Sequence, residues 1–230
     1  MPPSSTGNLA LDAPTERRSP HAPMAREHAV CELARDGAWT ARQLQARLAG
    51  WECPPIDAYV VRDTEPLRPT AWARHRQPIE VVRLNDRGVA TAASRSVPTQ
   101  LIRAGELEHA LGLAELRWRC GVPFDRYTAQ DGLARTHRQG LARGGRGLGS
   151  HLADGVFSRD GGVVLAEYDH GRYTATQVRM KLAAFRSARE VHGQPIVGAV
   201  WGAPTARRAA WLETVGVRHV VVLEHRTWLA

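Results

Sequence analysis

The alternation of apolar and polar positions is most regular from His151 to Lys181, HLADGVFSRDGGVVLAEYDHGRYTATQVRMK, where it predicts strand, tight turn, strand and helix. Two apolar runs, 152–157 and 163–168, flank Arg159-Asp160-Gly161-Gly162. An Asp-Gly pair between such runs is a strong hairpin signal, because the primed turn needs positive φ at both central residues. If Asp160-Gly161 is the loop, Asp154 stands opposite Glu167; if Gly161-Gly162 is the loop, Asp154 stands opposite Asp169. In both registers the period of two puts all three carboxylates on one face. Val156, Val163 and Leu165 share that face and Val164, Ala166 and Tyr168 the other, so both faces read as covered.

The rest of the chain is predicted around this hairpin. Residues 25–36 form a helix with Ala29, Val30, Leu33 and Ala34 on one side, and Gly37 ends it. Thr40 and Gln43 form a capping box that starts a second helix through Leu48, with Gly50 as its stop. A third element falls within 53–67, where Pro54, Pro55 and Pro66 leave Ile56, Tyr59 and Val60 open to a short helix or a strand. Residues 70–73 and 79–84 read as a β-hairpin with the basic tip Arg74-His75-Arg76, and Asn85 caps the helix after it. Two helices, a third short element and a hairpin make a winged helix-turn-helix. A helix over 101–116 follows, then a strand within 117–124 and a basic glycine-rich loop over 135–149. After Lys181 come a helix ending near His192, a strand over 195–201, a helix over 205–215 and a strand over 218–223. That order predicts a mixed α/β sheet with the acids at its centre. The chain therefore divides into a tail (1–23), a winged-helix domain (24–98) and a sheet domain (99–230). The fold class is α+β with an α/β second half.

Charge changes this picture. The formal net charge is +8 and the sequence pI near 10.4, which points to a polyanionic partner, DNA above all. Arg42 on the second helix, Arg74, His75 and Arg76 at the wing tip, and Arg143 and Arg146 in the glycine-rich loop are the candidate contacts. Residues 1–23, rich in Pro, Ser and Thr, read as a disordered tail and not as a leader. Three widely spaced cysteines, Cys31, Cys53 and Cys120, make neither a zinc knuckle nor a disulfide framework, so the expected setting is a reducing cytoplasm. No apolar run reaches a membrane-spanning length, so no membrane partner is expected.

Three like charges on one face are costly unless a cation sits among them or one is protonated. Asp154, Glu167 and Asp169 thus become candidate ligands of an oxygen-preferring divalent ion, Mg²⁺ or Mn²⁺. Lys181 is the only lysine beside 30 arginines. A compact point charge on the next helix suits a place beside a scissile phosphate.

Asp-X12-Glu-X-Asp followed by a helix with a lysine resembles the PD-(D/E)XK nuclease-like superfamily. Asp154 matches the first acid and Glu167 the second, while Asp169 stands where a lysine is usual and Ala153 where a proline is usual. Lys181 would take the missing lysine's part from the neighbouring helix. More narrowly, Glu167-Tyr168-Asp169-His170-Gly171 and Lys181-Leu182 resemble the replication-relaxation family, with a winged helix and a restriction-endonuclease-like C-terminal domain. Leu84-Asn85-Asp86-Arg87-Gly88 and His109-Ala110-Leu111 extend that likeness. The resemblance implies DNA transactions in plasmid or chromosome replication or maintenance. It also implies a candidate Mg²⁺-dependent deoxyribonuclease with Asp154, Glu167, Asp169 and Lys181 as its catalytic set and Asp131 as a further acid. The alternative is a non-catalytic replication or transcription regulator whose nuclease-like domain is degenerate or serves a homodimer.

Overall fold

A computed structural model describes residues 22–49, 56–66, 78–102, 105–129, 153–191 and 193–224. The protein is a mixed α+β structure with two sheets. The first half begins with α1 (Ala22–Asp36), β1 (Trp39–Thr40) and α2 (Ala41–Leu48). Thr40 and Gln43 exchange both bonds of the capping box that starts α2. A single 3₁₀ turn (Ile56–Tyr59) leads into β2 (Val60–Pro66), which is followed by β3 (Pro78–Leu84) and α3 (Asp86–Ser94), capped by Asn85.

The expected partner of β3 was residues 70–73, but the structure pairs it with β2, from Val60 opposite Leu84 to Pro66 opposite Pro78. Pro66 stands at the open end of β2, where a missing ladder donor costs least. Residues 67–77, including Arg74, His75 and Arg76, lie outside the described residues, as does Gly50. β1 pairs with the other edge of β3, giving the order β1-β3-β2.

The connecting helix is shifted from its expected position. α4 spans Leu107–Arg119 because Gly105, at φ +87°, breaks the chain before it, and Leu101 is left 78 % exposed. Residues 117–119, expected as strand, continue that helix. The first strand of the larger sheet is β4 (Tyr127–Ala129), followed by β5 (Gly155–Arg159) and β6 (Gly162–Tyr168). After α5 (Ala175–Ser187) come β7 (Glu190–Val191), β8 (Gln194–Ala203), α6 (Ala206–Val215) and β9 (Val220–Val222). α5 ends at Ser187 instead of His192 because the chain becomes extended at Ala188, and β7 folds back on the start of β8.

β4, β5 and β6 are antiparallel neighbours, while β6–β8 and β8–β9 are parallel. The β5–β6 register runs from Gly155 opposite Ala166 to Arg159 opposite Gly162, so Asp160-Gly161 is the loop. Only Gly161 of that pair has positive φ, +88°, so the turn differs from the primed type that the Asp-Gly signal predicts.

Every residue of β6 is buried. Val156, Val163 and Leu165 pack with Val178, Phe185 and Leu212 from α5 and α6. On the other side Val164, Ala166 and Tyr168 pack with Leu111 and Leu116 of α4, and this core continues into Ala38, Ile79 and Val81 of the first half. α4 therefore lies between the two sheets. It comes close to β6 only because residue 112 is glycine: a Cβ there would sit 2.2 Å from the Tyr168 ring.

A buried ionic network locks α4 to the first half. Arg117 donates from Nε and Nη2 to the two oxygens of Asp36, both at 2.8 Å, and from Nη1 to the Val122 carbonyl at 2.7 Å. Trp39 donates to Asp36 at 2.6 Å, and Arg47 donates to the Ala114 carbonyl at 2.8 Å. Removing one partner of a buried pair strands the other charge. Asp36→Ala should therefore lower unfolding stability by about 3–5 kcal/mol, read as a shifted urea midpoint. Replacing exposed Asp57 should cost well under about 1 kcal/mol.

Candidate functional site

The hairpin register, continued one step, sets Asp154 across from Glu167 at the end of β5 and β6. Both side chains are buried, and neither is left to water. Asp154 Oδ2 accepts from the Tyr168 backbone N–H at 2.8 Å and faces His109 Nε2 at 3.1 Å. His109 comes from the first turn of α4. Glu167 Oε1 accepts from the Tyr173 hydroxyl at 2.7 Å and from Lys181 Nζ. The Lys181 ammonium also lies 5.1 Å from the centre of the Tyr173 ring. Glu167 Oε2 is buried and has no hydrogen-bond partner.

Asp169 takes a different course from the one expected of a third ligand. Its Oδ1 accepts from the Gly171 N–H at 2.7 Å and its Oδ2 from Arg208 at 2.7 Å. Arg208 in turn donates to the Tyr173 carbonyl at 2.6 Å and stacks over Trp211, 3.7 Å from the ring centre. Asp169 thus anchors the turn that carries Tyr173 instead of extending the Asp154–Glu167 pair. Thr174 and Gln177 cap α5 for each other.

Electrostatics split the two central carboxyls. Burial pushes Glu167 up to about 8, the charge of Asp154 adds to the rise, and Lys181 opposes it. Burial works on Asp154 too, but the His109 contact, helped by Lys181 and the Tyr168 N–H, outweighs it and holds that carboxyl below its ordinary value. His109 responds in kind, since burial would lower it but Asp154 raises it. The pair is thus split, Asp154 toward the anion and Glu167 toward the protonated form.

The donor set fits a hard cation in chemistry. Two carboxylates face each other, one buried oxygen lacks a partner, and Mg²⁺ commonly needs only one or two carboxylates beside water and substrate oxygens. Among the described residues no three His, Cys, Asp or Glu side chains stand together as a ready cluster. Asp131, Arg143 and Arg146 lie outside the described residues, and Arg42 is exposed on α2.

Sequence reasoning did not assign His109, Tyr173 or Arg208 to the site. His109 precedes Asp154 by 45 positions, so no spacing rule joins them, although His109-Ala110-Leu111 did mark the segment. Tyr173 had a local signal, a phenol between the acids and their lysine helix. Comparison with family models, with curated proteins and with solved structures finds no match to this chain.

A pH prediction follows from Glu167. Its folded value of about 8 lies above the ordinary 4.5, so the native state keeps a proton that the unfolded chain gives up. The contribution is complete below pH 4.5 and is lost as pH rises through 8. Chemical denaturation across that range should show the metal-free protein weakening, and Glu167→Gln should remove most of the slope. An unchanged slope in that variant would assign the weakening to another group.

Proposed function

We propose that this protein is a DNA-binding protein of plasmid or chromosome replication or maintenance. In this reading a winged-helix unit supplies DNA contact and a PD-(D/E)XK-like unit carries metal-dependent phosphodiester hydrolysis. The observation that carries the reading is Glu167, a buried carboxyl paired with Asp154, touched by Lys181 on one oxygen and unpartnered on the other. A cation beside that second oxygen would replace the proton Glu167 otherwise holds.

Other features support it. The order α1-β1-α2, a 3₁₀ turn, β2, β3 with sheet order β1-β3-β2 fits a winged helix whose third helix is reduced. The β2–β3 ribbon neutralises its own charges through Arg62–Glu80 at 2.8 Å and Arg83–Asp63 at 3.5 Å. Phosphate contact then falls to the wing tip, and the net charge of +8 favours a polyanion. The hairpin, α5, β8, α6, β9 succession with both acids mid-sheet fits a nuclease-like core.

Asp154 and Glu167 would hold the Mg²⁺ or Mn²⁺. Bound there, the ion would supply Lewis acidity toward a phosphoryl oxygen and lower the pKa of a water. The chain's own residues orient the rest. His109 and the Tyr168 N–H fix Asp154, Tyr173 fixes Glu167, and Arg208 holds the Tyr173 backbone. Lys181 brings a positive charge to where a scissile phosphate would approach.

One observation favours a non-catalytic regulator: Asp169 and Lys181 are both engaged in internal ion pairs. The test is nicking of supercoiled plasmid in Mg²⁺ or Mn²⁺ beside Glu167→Ala and Lys181→Ala. Hydrolysis should fall about a hundredfold or more in each variant. Salt-sensitive DNA binding without cutting, unaffected by either substitution, would leave the regulator.

A further inference from the structure

Beside Asp154 lies a cavity of about 400 Å³ that both halves of the protein line. Asp154, Tyr173 and Lys181 line its site end, and Glu65 of β2 with residues 100–102 lines the opposite wall. That volume falls within the range of about 300–1,000 Å³ typical of pockets for one small ligand. A pocket of that size admits one small ligand and not the full width of a duplex. An intact duplex cannot bring a phosphate to carboxylates this deeply buried, but one nucleotide drawn from the stack can.

The walls offer the contacts such a nucleotide needs. Arg172, exposed at the mouth, and Lys181 bring positive charge for a phosphate, while Tyr173 and His170 bring rings for a base. Glu108, one residue before His109 on α4, lines the same cavity and is 8 % exposed. Its Oε1 is buried and has no hydrogen-bond partner. Among the described residues nothing uses this acceptor, and leaving it unpaired is costly. Burial pushes the Glu108 carboxyl up to about 7, with Arg172 opposing, so binding a donor would favour its charged form.

We infer that the site takes a single unpaired nucleotide, with its phosphate toward Arg172 and Lys181 and the amino edge of its base toward Glu108. The substrate is then single-stranded or extruded DNA instead of intact duplex. A carboxylate acceptor prefers bases with an exocyclic amine, and cytosine against thymine is the cleanest comparison. This inference rests on the hydrolytic reading for its phosphate, but the pocket is testable apart from it.

Two measurements on the full chain separate them. Calorimetric titration with dCMP and dTMP, in Ca²⁺, should show dCMP binding about tenfold more tightly. Glu108→Gln should erase that preference, and Arg172→Ala should weaken both ligands alike. In Mn²⁺, a labelled single strand and a duplex with one unpaired cytosine should be cut at least about tenfold faster than blunt duplex. If dCMP binding depends on Glu108 but no DNA is cut, the pocket stands and the hydrolytic reading falls. Equal cutting of blunt duplex, equal binding of the two nucleotides, or a preference that survives Glu108→Gln overturns the inference.

Discussion

The Asp36–Arg117 pair is the constraint on which the arrangement depends. The two side chains are 0 % and 1 % exposed, and each oxygen of Asp36 accepts from the guanidinium. Charges so far from water are tolerable only when fully paired. The end of α1 and the last turns of α4 therefore have one register relative to each other. α4 in turn fixes the site: Gly112 sets how near the helix lies to Tyr168, and the first turn carries His109 to Asp154 and Glu108 to the cavity. A shift of α4 by one turn would separate all three contacts at once. The ion pair thus acts on chemistry at the far end of the helix, through a rigid element and not through any chain of side chains.

A second constraint is electrostatic. The hairpin forces two carboxyls together inside an otherwise apolar sheet, and the structure resolves the conflict asymmetrically. Asp154 receives a backbone N–H and an imidazole and remains an anion, while Glu167 receives donors on one oxygen only. Asp169, a third acid on the same strand end, is removed from the conflict by Arg208. Without that arginine Asp169 would be a further buried charge with no cationic partner; with it the third acid becomes the clamp for the Tyr173 turn. Two carboxylates two positions apart thus serve different ends, decided by which donor the fold brings near.

Much of this was legible in the sequence because its cues were local. The Asp-Gly dipeptide between two apolar runs narrowed the loop to Asp160-Gly161 or Gly161-Gly162, and arithmetic set Asp154 opposite Glu167 in the first of these, the register found. The capping box at Thr40 was readable from a three-residue spacing. The errors arose where a local cue competed with a distant partner. The span 53–67 was open to a short helix or a strand, and β2 pairs with β3 across a connection without a turn signature. Arg117-Trp118-Arg119 looked like a strand start because nothing nearby reveals that Arg117 belongs to Asp36, 81 residues earlier. Asp169 was read correctly by face, but its partner Arg208 lies 39 residues away, and face alone does not decide what a carboxylate binds.

The single lysine gains a physical reason from the geometry. Glu167 already gives Oε1 to Tyr173, and Lys181 adds its ammonium to that same oxygen. An ammonium is a point donor and can crowd onto one atom. A guanidinium is a planar fork that matches both oxygens of a carboxylate, as Arg117 does with Asp36. An arginine at 181 would tend to close over Oε2, the one oxygen the site leaves open. In a chain that uses arginine at 30 of its 31 basic positions, the departure falls where a fork would engage the oxygen that Glu167 leaves unpartnered.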